Sequence, residues 1–275
     1  MFYLSRGMSS KSVSFCTLLL TIFAACSPTT TTTPCSSIPE GAQRLIEAYP
    51  DHIKGYEDNM IIFHDGSRII YDDGKERTIE EILREQDIED TFLQEYNTNI
   101  MPPYYGYDPG RYRSAALLGK IYGDTREEVS KNLVYVEWCP TLGGKPLLFS
   151  KTAGAAEALS LVSKELDKHP ELKAWVLDAQ TFNWRSIHST NRLSPHSYGI
   201  AIDLEPQRSN YWKWSYPHAE ESTEIEYRNS FDMRVVEIFE RHGFIWGGRW
   251  YHFDTMHFEY RPELNPQNSH DTHTN

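Results

Sequence analysis

The sequence has few cysteines, and none of them stands in the spacing of a thiolate metal site. Its 275 residues include four cysteines, and no two of these are separated by only two residues. We therefore expect no zinc cluster built on thiolates. Cys35 and Cys139 could pair in an oxidising compartment, but Cys35 lies in a Thr-rich tract and we do not expect this disulfide.

Positive charge is also scarce. The 27 Lys and Arg residues are outnumbered by 39 Asp and Glu residues, which gives a formal net charge of -12. Nucleic acids and anionic lipid surfaces are recognised by basic patches, so we expect neither as a partner. No internal repeat is visible, and we expect a monomer.

Long apolar runs are missing as well, apart from a short one near the N-terminus. This run covers residues 13–23, follows two basic residues and is too short to span a bilayer. Its layout predicts a signal peptide over residues 1–25. Two alanines precede Cys26, which favours a lipoprotein signal that leaves Cys26 acylated. An ordinary cleaved signal is the alternative. We thus expect an exported protein of the bacterial cell envelope, lipid-anchored at Cys26, or otherwise periplasmic or secreted.

The remaining sequence predicts one folded domain between two polar segments. Residues 26–40 are rich in Thr, Ser and Pro and predict a flexible tether. Residues 41–264 have the length of one domain, with the recognisable motifs confined to about 150–262. Residues 265–275 are polar and predict a disordered tail.

Helix and strand signals follow one another in an irregular order. Thr78 and Thr125 each begin a capping box, and apolar spacing predicts helices over 155–166 and 231–241. The predicted strands cover residues 60–63, 67–71, 133–138, 175–177 and 199–204. Residues 104–112, rich in Tyr, Gly and Pro, predict an ordered surface loop, with a role in gripping a substrate as the alternative. The pattern favours an α+β domain in which helices flank an antiparallel sheet.

The first motif of chemical interest is Ser-Pro-His-Ser-Tyr-Gly-Ile-Ala-Ile-Asp at residues 194–203. From Gly199 onward apolar residues alternate with others, which predicts a strand whose outward face carries Asp203. Gly199 lets the backbone bend, so that His196 and Asp203 can converge. A hydrogen-bonded loop histidine and a strand-end cap would be the structural alternatives.

The second motif is Asp254-Thr-Met-His257, inside an aromatic segment that alternates like a strand. In a straight strand Asp254 and His257 would face opposite sides, so a shared site requires a turn or bulge between them. His257 is then a ligand and Asp254 a general base, with Glu259 as the alternative base. His252 could support the site or compete for a metal. An aromatic core strand with incidental polar residues is the structural alternative.

Together the motifs offer two imidazoles and one carboxylate for a single metal ion. His196, Asp203 and His257 would be the three protein ligands, which leaves a coordination position open. This is the arrangement of a catalytic zinc site, so we expect one zinc ion per chain. Asp254 remains to act on water.

The two motifs resemble those of zinc peptidases that include D-Ala-D-Ala carboxypeptidases, D-Ala-D-Ala dipeptidases and phage L-Ala-D-Glu endolysins. Hedgehog signalling domains share that fold. The matching residues are Ser194, His196, Gly199, Ala201 and Asp203, followed by Asp254, His257 and Phe258. Family members also carry an arginine on a strand upstream of the first motif, and Arg185 stands in that place. The resemblance is strong over about 150–262, and residues 41–150 carry no motif of the family.

The resemblance implies a fold and a reaction. The fold would be that of the Hedgehog and D-Ala-D-Ala peptidase group, with the zinc site on the sheet. Zinc held by His196, Asp203 and His257 would activate water, and Asp254 would move its proton to the leaving amine. Arg185 would stabilise the oxyanion or bind a substrate carboxylate.

The resemblance also implies peptidoglycan stem peptides as the substrate. The terminal D-Ala-D-Ala bond is the expected target, and the L-Ala-D-Glu bond inside the stem is the alternative. Dipeptidases carry Glu where this sequence has Asp254, so we expect that activity least. Because Hedgehog domains keep zinc in a binding module, a non-catalytic, zinc-containing wall-binding lipoprotein is the other possible class.

Overall fold

A computed structural model describes residues 37–187 and 192–264 of the chain. The predicted signal peptide, Cys26, Cys35 and the predicted tail lie outside these residues. Within the described part, no helix is long and apolar enough to cross a membrane. Cys139 is buried there as a free thiol. Burial raises the pKa of this thiol to about 12, so it stays protonated at neutral pH.

Short helices and short strands follow one another along the described residues. The helices are α1 (Glu40–Ala48), α2 (Ile79–Ile82), α3 (Ala115–Tyr122), α4 (Arg126–Ser130), α5 (Ala155–Leu166), α6 (Trp212–Ser215) and α7 (Met233–Arg241). The strands are β1 (Ile53–Glu57), β2 (Met60–Phe63), β3 (Arg68–Ile70), β4 (Leu133–Val136), β5 (Leu147–Ser150), β6 (Ala179–Gln180), β7 (Ala201–Leu204), β8 (Phe244–Trp246) and β9 (His257–Tyr260).

The strands form antiparallel sheets, as the sequence predicted. The first sheet has the order β1-β2-β3, a second consists of β4 and β5, and the third has the order β6-β7-β9-β8. In the third sheet β7 comes from the first motif and β9 from the second. Mixed helices and antiparallel sheets confirm the α+β class.

Local sequence signals explain several helices. Thr78 and Thr125 each accept the backbone N–H of a glutamate three residues later, and that glutamate accepts the N–H of the threonine in return. Both predicted capping boxes are thus confirmed. The helix predicted over 155–166 is α5. Helix α7 begins two residues later than predicted, because the Asp232 side chain caps its first turn.

The strand predicted over residues 175–177 is wrong. Residues Pro170–Trp175 form a 3-10 helix instead, and the short β6 follows it. Pro170 stands at the start of this helix, where its fixed φ and missing N–H are tolerated. The Trp175 ring packs on Phe231 at 5.0 Å and Val176 is buried, whereas Leu177 is exposed. The end of this helical turn therefore packs on the core without forming a strand.

The segment 104–112 is also more deeply placed than predicted. Tyr104 and Tyr105 are exposed, but Asp108 and Tyr112 are buried. The backbone carbonyl of Tyr107 accepts the N–H of Tyr251 at 2.7 Å. This segment therefore packs against the residues that precede β9 and does not form a simple surface loop.

The core behind the third sheet fixes the positions of β7 and β9. Phe258 of β9 stacks on Phe239 of α7 with ring centroids 4.1 Å apart, and Phe244 of β8 meets Phe239 edge-on at 5.1 Å. All three rings are fully buried, and burying one such side chain contributes about 2–3 kcal/mol. Ile202 of β7 pairs with Phe258 and is buried on the same face. The opposite face of β7 and β9 carries the polar residues.

Candidate metal centre

Asp203 and His257 stand directly opposite each other in the antiparallel pair of β7 and β9. Residues in this relation point to the same face of a sheet. Their side chains meet there, with Asp203 Oδ1 2.8 Å from His257 Nδ1. The predicted alternation along β7 is confirmed, since Ile202 lies in the core and Asp203 on the polar face.

His196 reaches the same point from the 3-10 helix that precedes β7. The Ser194 side chain caps this helix, and Gly199 ends it with a φ of +68°. The positive φ favours glycine here, and a Cβ atom would also lie 2.5 Å from Leu133 Cδ2, so that the Leu133 side chain would have to shift. His196 Nδ1 lies 2.7 Å from the Thr181 carbonyl oxygen, to which it must donate its N–H. His196 Nε2 is left with a lone pair.

The three predicted ligands therefore converge. His196 Nε2 lies 3.2 Å from Asp203 Oδ2 and 3.3 Å from His257 Nδ1, and one donor atom from each residue lies within 4.8 Å of the others. Two imidazole nitrogens and a carboxylate suit zinc. Burial raises the pKa of the Asp203 carboxyl, but His196 and His257 hold it well below its usual range. The site thus presents an ionised ligand.

Glu259 holds His257 in the orientation that a metal ligand needs. Glu259 Oε1 lies 2.8 Å from His257 Nε2, which leaves Nδ1 directed at the other two ligands. Burial lowers the pKa of His257, but hydrogen bonds to Asp203 and Glu259 outweigh it and raise the pKa to about 10. Asp203 and Glu259 therefore stabilise positive charge at the point where the three candidate ligands meet. A carboxylate behind a histidine ligand is a common support for bound metal.

Two arginines compensate the charge of Glu259, which is fully buried. Arg113 binds it with two nitrogens, one of them 2.9 Å from Oε2, and Arg261 lies 3.4 Å from the same oxygen. Burial raises the pKa of Glu259, but Arg113 and His257 keep it far below its usual range. A carboxylate committed to three partners is poorly placed to accept protons from water. The contacts therefore favour Asp254 over Glu259 as the base.

Asp254 is placed by the turn that its spacing from His257 required. The backbone N–H of His257 donates to the Asp254 carbonyl at 3.2 Å, and β9 starts only at His257. Asp254 Oδ1 is buried without a hydrogen-bond partner among the described residues. Burial raises the pKa of this carboxyl to about 7, which suits a group that must both accept and return a proton.

One cavity of about 350 Å3 gives access to this centre. Asp203, His257 and Asp254 line it together with Arg185. Arg185 lies outside any strand, unlike the family arginine, and its backbone N–H donates to Ser197 Oγ at 2.9 Å. Its exposed guanidinium makes no hydrogen bond or ion pair within residues 37–187 and 192–264. It is therefore available to a ligand.

Sequence reasoning missed the contribution of the segment before α3. Arg111 and Arg113 line the cavity, and Asp108 Oδ2 lies 2.6 Å from His252 Nδ1. These residues lie in or beside a tract whose Tyr, Gly and Pro content predicted a surface loop, with a role in gripping a substrate only as the alternative. The available signal was the close spacing of three charged residues, Asp108, Arg111 and Arg113, at the end of this aromatic tract.

Replacing Glu259 tests whether it supports the metal ligand. We expect Glu259→Gln to weaken zinc binding about 10- to 100-fold, because His257 loses its ionised partner. It should also destabilise the fold by about 3–5 kcal/mol, since Arg113 keeps a buried charge without compensation. Zinc titration and urea unfolding measure the two effects. Glu57→Gln, at a side chain 59% exposed, is the control, and equal zinc affinity in both variants would contradict the role.

Comparison with known proteins agrees with the motifs. Residues 188–260 match the family model described as D-alanyl-D-alanine carboxypeptidase. This range includes all three candidate ligands and Asp254, and it begins after Arg185. Neither the curated proteins nor the solved structures gave a match. The resemblance inferred from the two motifs is thus confirmed, since the segment that carries the candidate metal ligands matches the model of this peptidase family.

Proposed function

We propose that this protein is a zinc metallopeptidase that hydrolyses a peptide bond in the stem peptides of bacterial peptidoglycan. The observation that carries the proposal is the convergence of His196, Asp203 and His257, two of which, Asp203 and His257, line one cavity with Asp254. Three ligands and a separate carboxylate are what metal-assisted hydrolysis requires.

Each residue has a defined task in this reaction. Zinc bound by His196 Nε2, Asp203 and His257 Nδ1 would supply a Lewis acid for the peptide carbonyl and for water. Asp254 accepts a proton from the attacking water at its carboxylate. It then passes this proton to the nitrogen of the leaving amine as the C–N bond breaks. Because Asp254 Oδ1 has no hydrogen-bond partner among the described residues, this oxygen can take part in both proton transfers.

Arg185 is the candidate for recognising the substrate's negative charge. Its guanidinium is exposed in the cavity and makes no ion pair within the described ranges. Guanidinium groups bind carboxylates in a planar, bidentate arrangement. We propose that Arg185 binds the free terminal carboxylate and that the D-Ala-D-Ala bond is cut. Stabilisation of the oxyanion is its alternative role, and it would suit an L-Ala-D-Glu endopeptidase equally well.

Digestion of muropeptides tests the reaction and its base. We expect the zinc-loaded protein to release D-Ala, and Asp254→Asn to lower the rate about 100-fold or more with zinc content unchanged. Mass spectrometry of the products identifies the bond. The exposed Asp51→Asn is the matched control. Zinc binding without release of D-Ala or any stem fragment would favour the non-catalytic wall-binding lipoprotein, and full activity in Asp254→Asn would refute the base.

Substrates with and without a terminal charge test Arg185. We expect the wild type to cleave a stem peptide with a free terminal carboxylate about tenfold faster or more than its carboxamide, since the bidentate ion pair is lost with the amide. Arg185→Ala should remove this preference, whereas Arg228→Ala, at a side chain 51% exposed, should keep it. Equal cleavage of acid and amide by the wild type would contradict carboxylate binding and favour the oxyanion role.

The N-terminal sequence supports a proposal for where the enzyme works. We propose an exported monomer anchored in the cell envelope by a lipid on Cys26, next to its peptidoglycan substrate. Residues 13–23 and the alanines before Cys26 have the layout of such a signal.

Cell fractionation tests the anchor. We expect the full-length protein in the membrane fraction and Cys26→Ser in the soluble fraction, because no acyl chain can then be attached. Cys139→Ser, at the buried thiol, is the matched control and should stay with the membrane. A soluble wild type would indicate the ordinary cleaved signal.

A further inference from the structure

His252 lines the cavity beside Asp254, yet no step of the proposed reaction uses it. Its side chain is only 2% exposed. Its Nε2 atom is buried and makes no hydrogen bond to any described residue. A buried polar atom without a partner costs about 1–3 kcal/mol, so its place in a cavity wall calls for a physical reason.

Asp108 determines which nitrogen of His252 carries the proton. Asp108 Oδ2 lies 2.6 Å from Nδ1, and Oδ1 accepts the backbone N–H of His252 at 2.9 Å. Burial raises the pKa of Asp108, but Arg111 and His252 outweigh it and keep the pKa below its usual range. An ionised carboxylate can only accept, so Nδ1 must donate. In the neutral ring Nε2 then holds a lone pair and is a hydrogen-bond acceptor.

The groups around this pair contact Nδ1 and leave Nε2 without a hydrogen-bond partner among the described residues. Glu221 Oε2 lies 3.5 Å from His252 Nδ1, and Arg111 binds both oxygens of Glu221 at 2.8 and 3.1 Å. Arg111 also lies 3.1 Å from Asp108, so its guanidinium already serves as the cation among these carboxylates. Trp212 packs against the imidazole at 4.6 Å between centroids. The ring is thus fixed in place.

We propose that His252 Nε2 accepts a hydrogen bond from an N–H group of the bound peptide. This inference rests on the proposed peptidase function. A peptide amide supplies the donor that the lone pair lacks, and every stem peptide presents several. Asp254 is two residues from His252 and lines the same cavity. The bond therefore positions the peptide beside the candidate base.

Two substitutions separate the Nε2 atom from the rest of the ring. His252→Asn keeps an N–H donor for Asp108 but has no atom at the Nε2 position. We expect it to raise KM for the cleaved stem peptide about five- to tenfold, the worth of one neutral hydrogen bond, while kcat changes less than about twofold. His252→Gln places an amide near the Nε2 position and should recover part of the affinity.

Modified substrates identify the donor. The stem peptide that the wild type cleaves is prepared with each non-scissile amide N-methylated in turn. At one position N-methylation should raise the wild-type KM about five- to tenfold and should have no further effect in His252→Asn. Such non-additivity is expected of two groups that contact each other and is not expected from loss of structure alone.

The matched control is His242→Asn, since His242 bonds to Glu165 at 2.9 Å and does not belong to the cavity wall. It should keep the wild-type KM. An unchanged KM in His252→Asn, or additive penalties at every N-methylated position, would overturn the inference while the peptidase stands. A wild type that cleaves no stem peptide would instead overturn the proposed function. If His252→Asn fails to fold, KM is measured for the same series of N-methylated substrates with His252→Gln.

Discussion

The direct pairing of Asp203 with His257 across β7 and β9 is the constraint on which the candidate site depends. Side chains alternate along a strand, so a slip of one residue would turn one ligand into the core and bring an apolar neighbour onto the polar face. The stack of Phe258 on Phe239 opposes that slip from the other side of the sheet. Packing in the core thus sets the geometry of the candidate metal ligands.

Around this pair the protein maintains several buried charges. Glu259, Arg113 and Arg261 are held together in the interior, and such groups rarely add stability compared with apolar residues. Their value lies in orientation, because an ionised Glu259 fixes which nitrogen of His257 faces the ligands. The Asp108 pair does the same for His252. In each histidine a carboxylate binds one ring nitrogen and so fixes the direction of the other. The other nitrogen is directed at the candidate metal ligands in His257 and is the proposed acceptor for the peptide in His252.

The sequence was most informative where the relevant contacts are local. The alternation after Gly199 predicted the direction of the Asp203 side chain. The spacing of three residues between Asp254 and His257 would put them on opposite faces of a straight strand, and it therefore required the turn that the structure contains. The strand over 175–177 failed because a short apolar run also fits a buried helical turn. The roles of Asp108 and Arg113 could not be predicted, since they depend on partners about 145 residues away and such long-range contacts carry no periodicity.

These long-range partners determine how much of the chain makes a working unit. A fragment starting near residue 150 would contain every ligand, the candidate base and the whole family match. It would lack Arg113, which neutralises Glu259, and Asp108, which orients His252. In such a fragment Arg261, at 3.4 Å, would be the one of the two arginines left near the buried Glu259 carboxylate, directly behind a candidate metal ligand. The residues before 150 are therefore part of the site's own electrostatic support, and the smallest functional piece of this protein is larger than its recognisable motif.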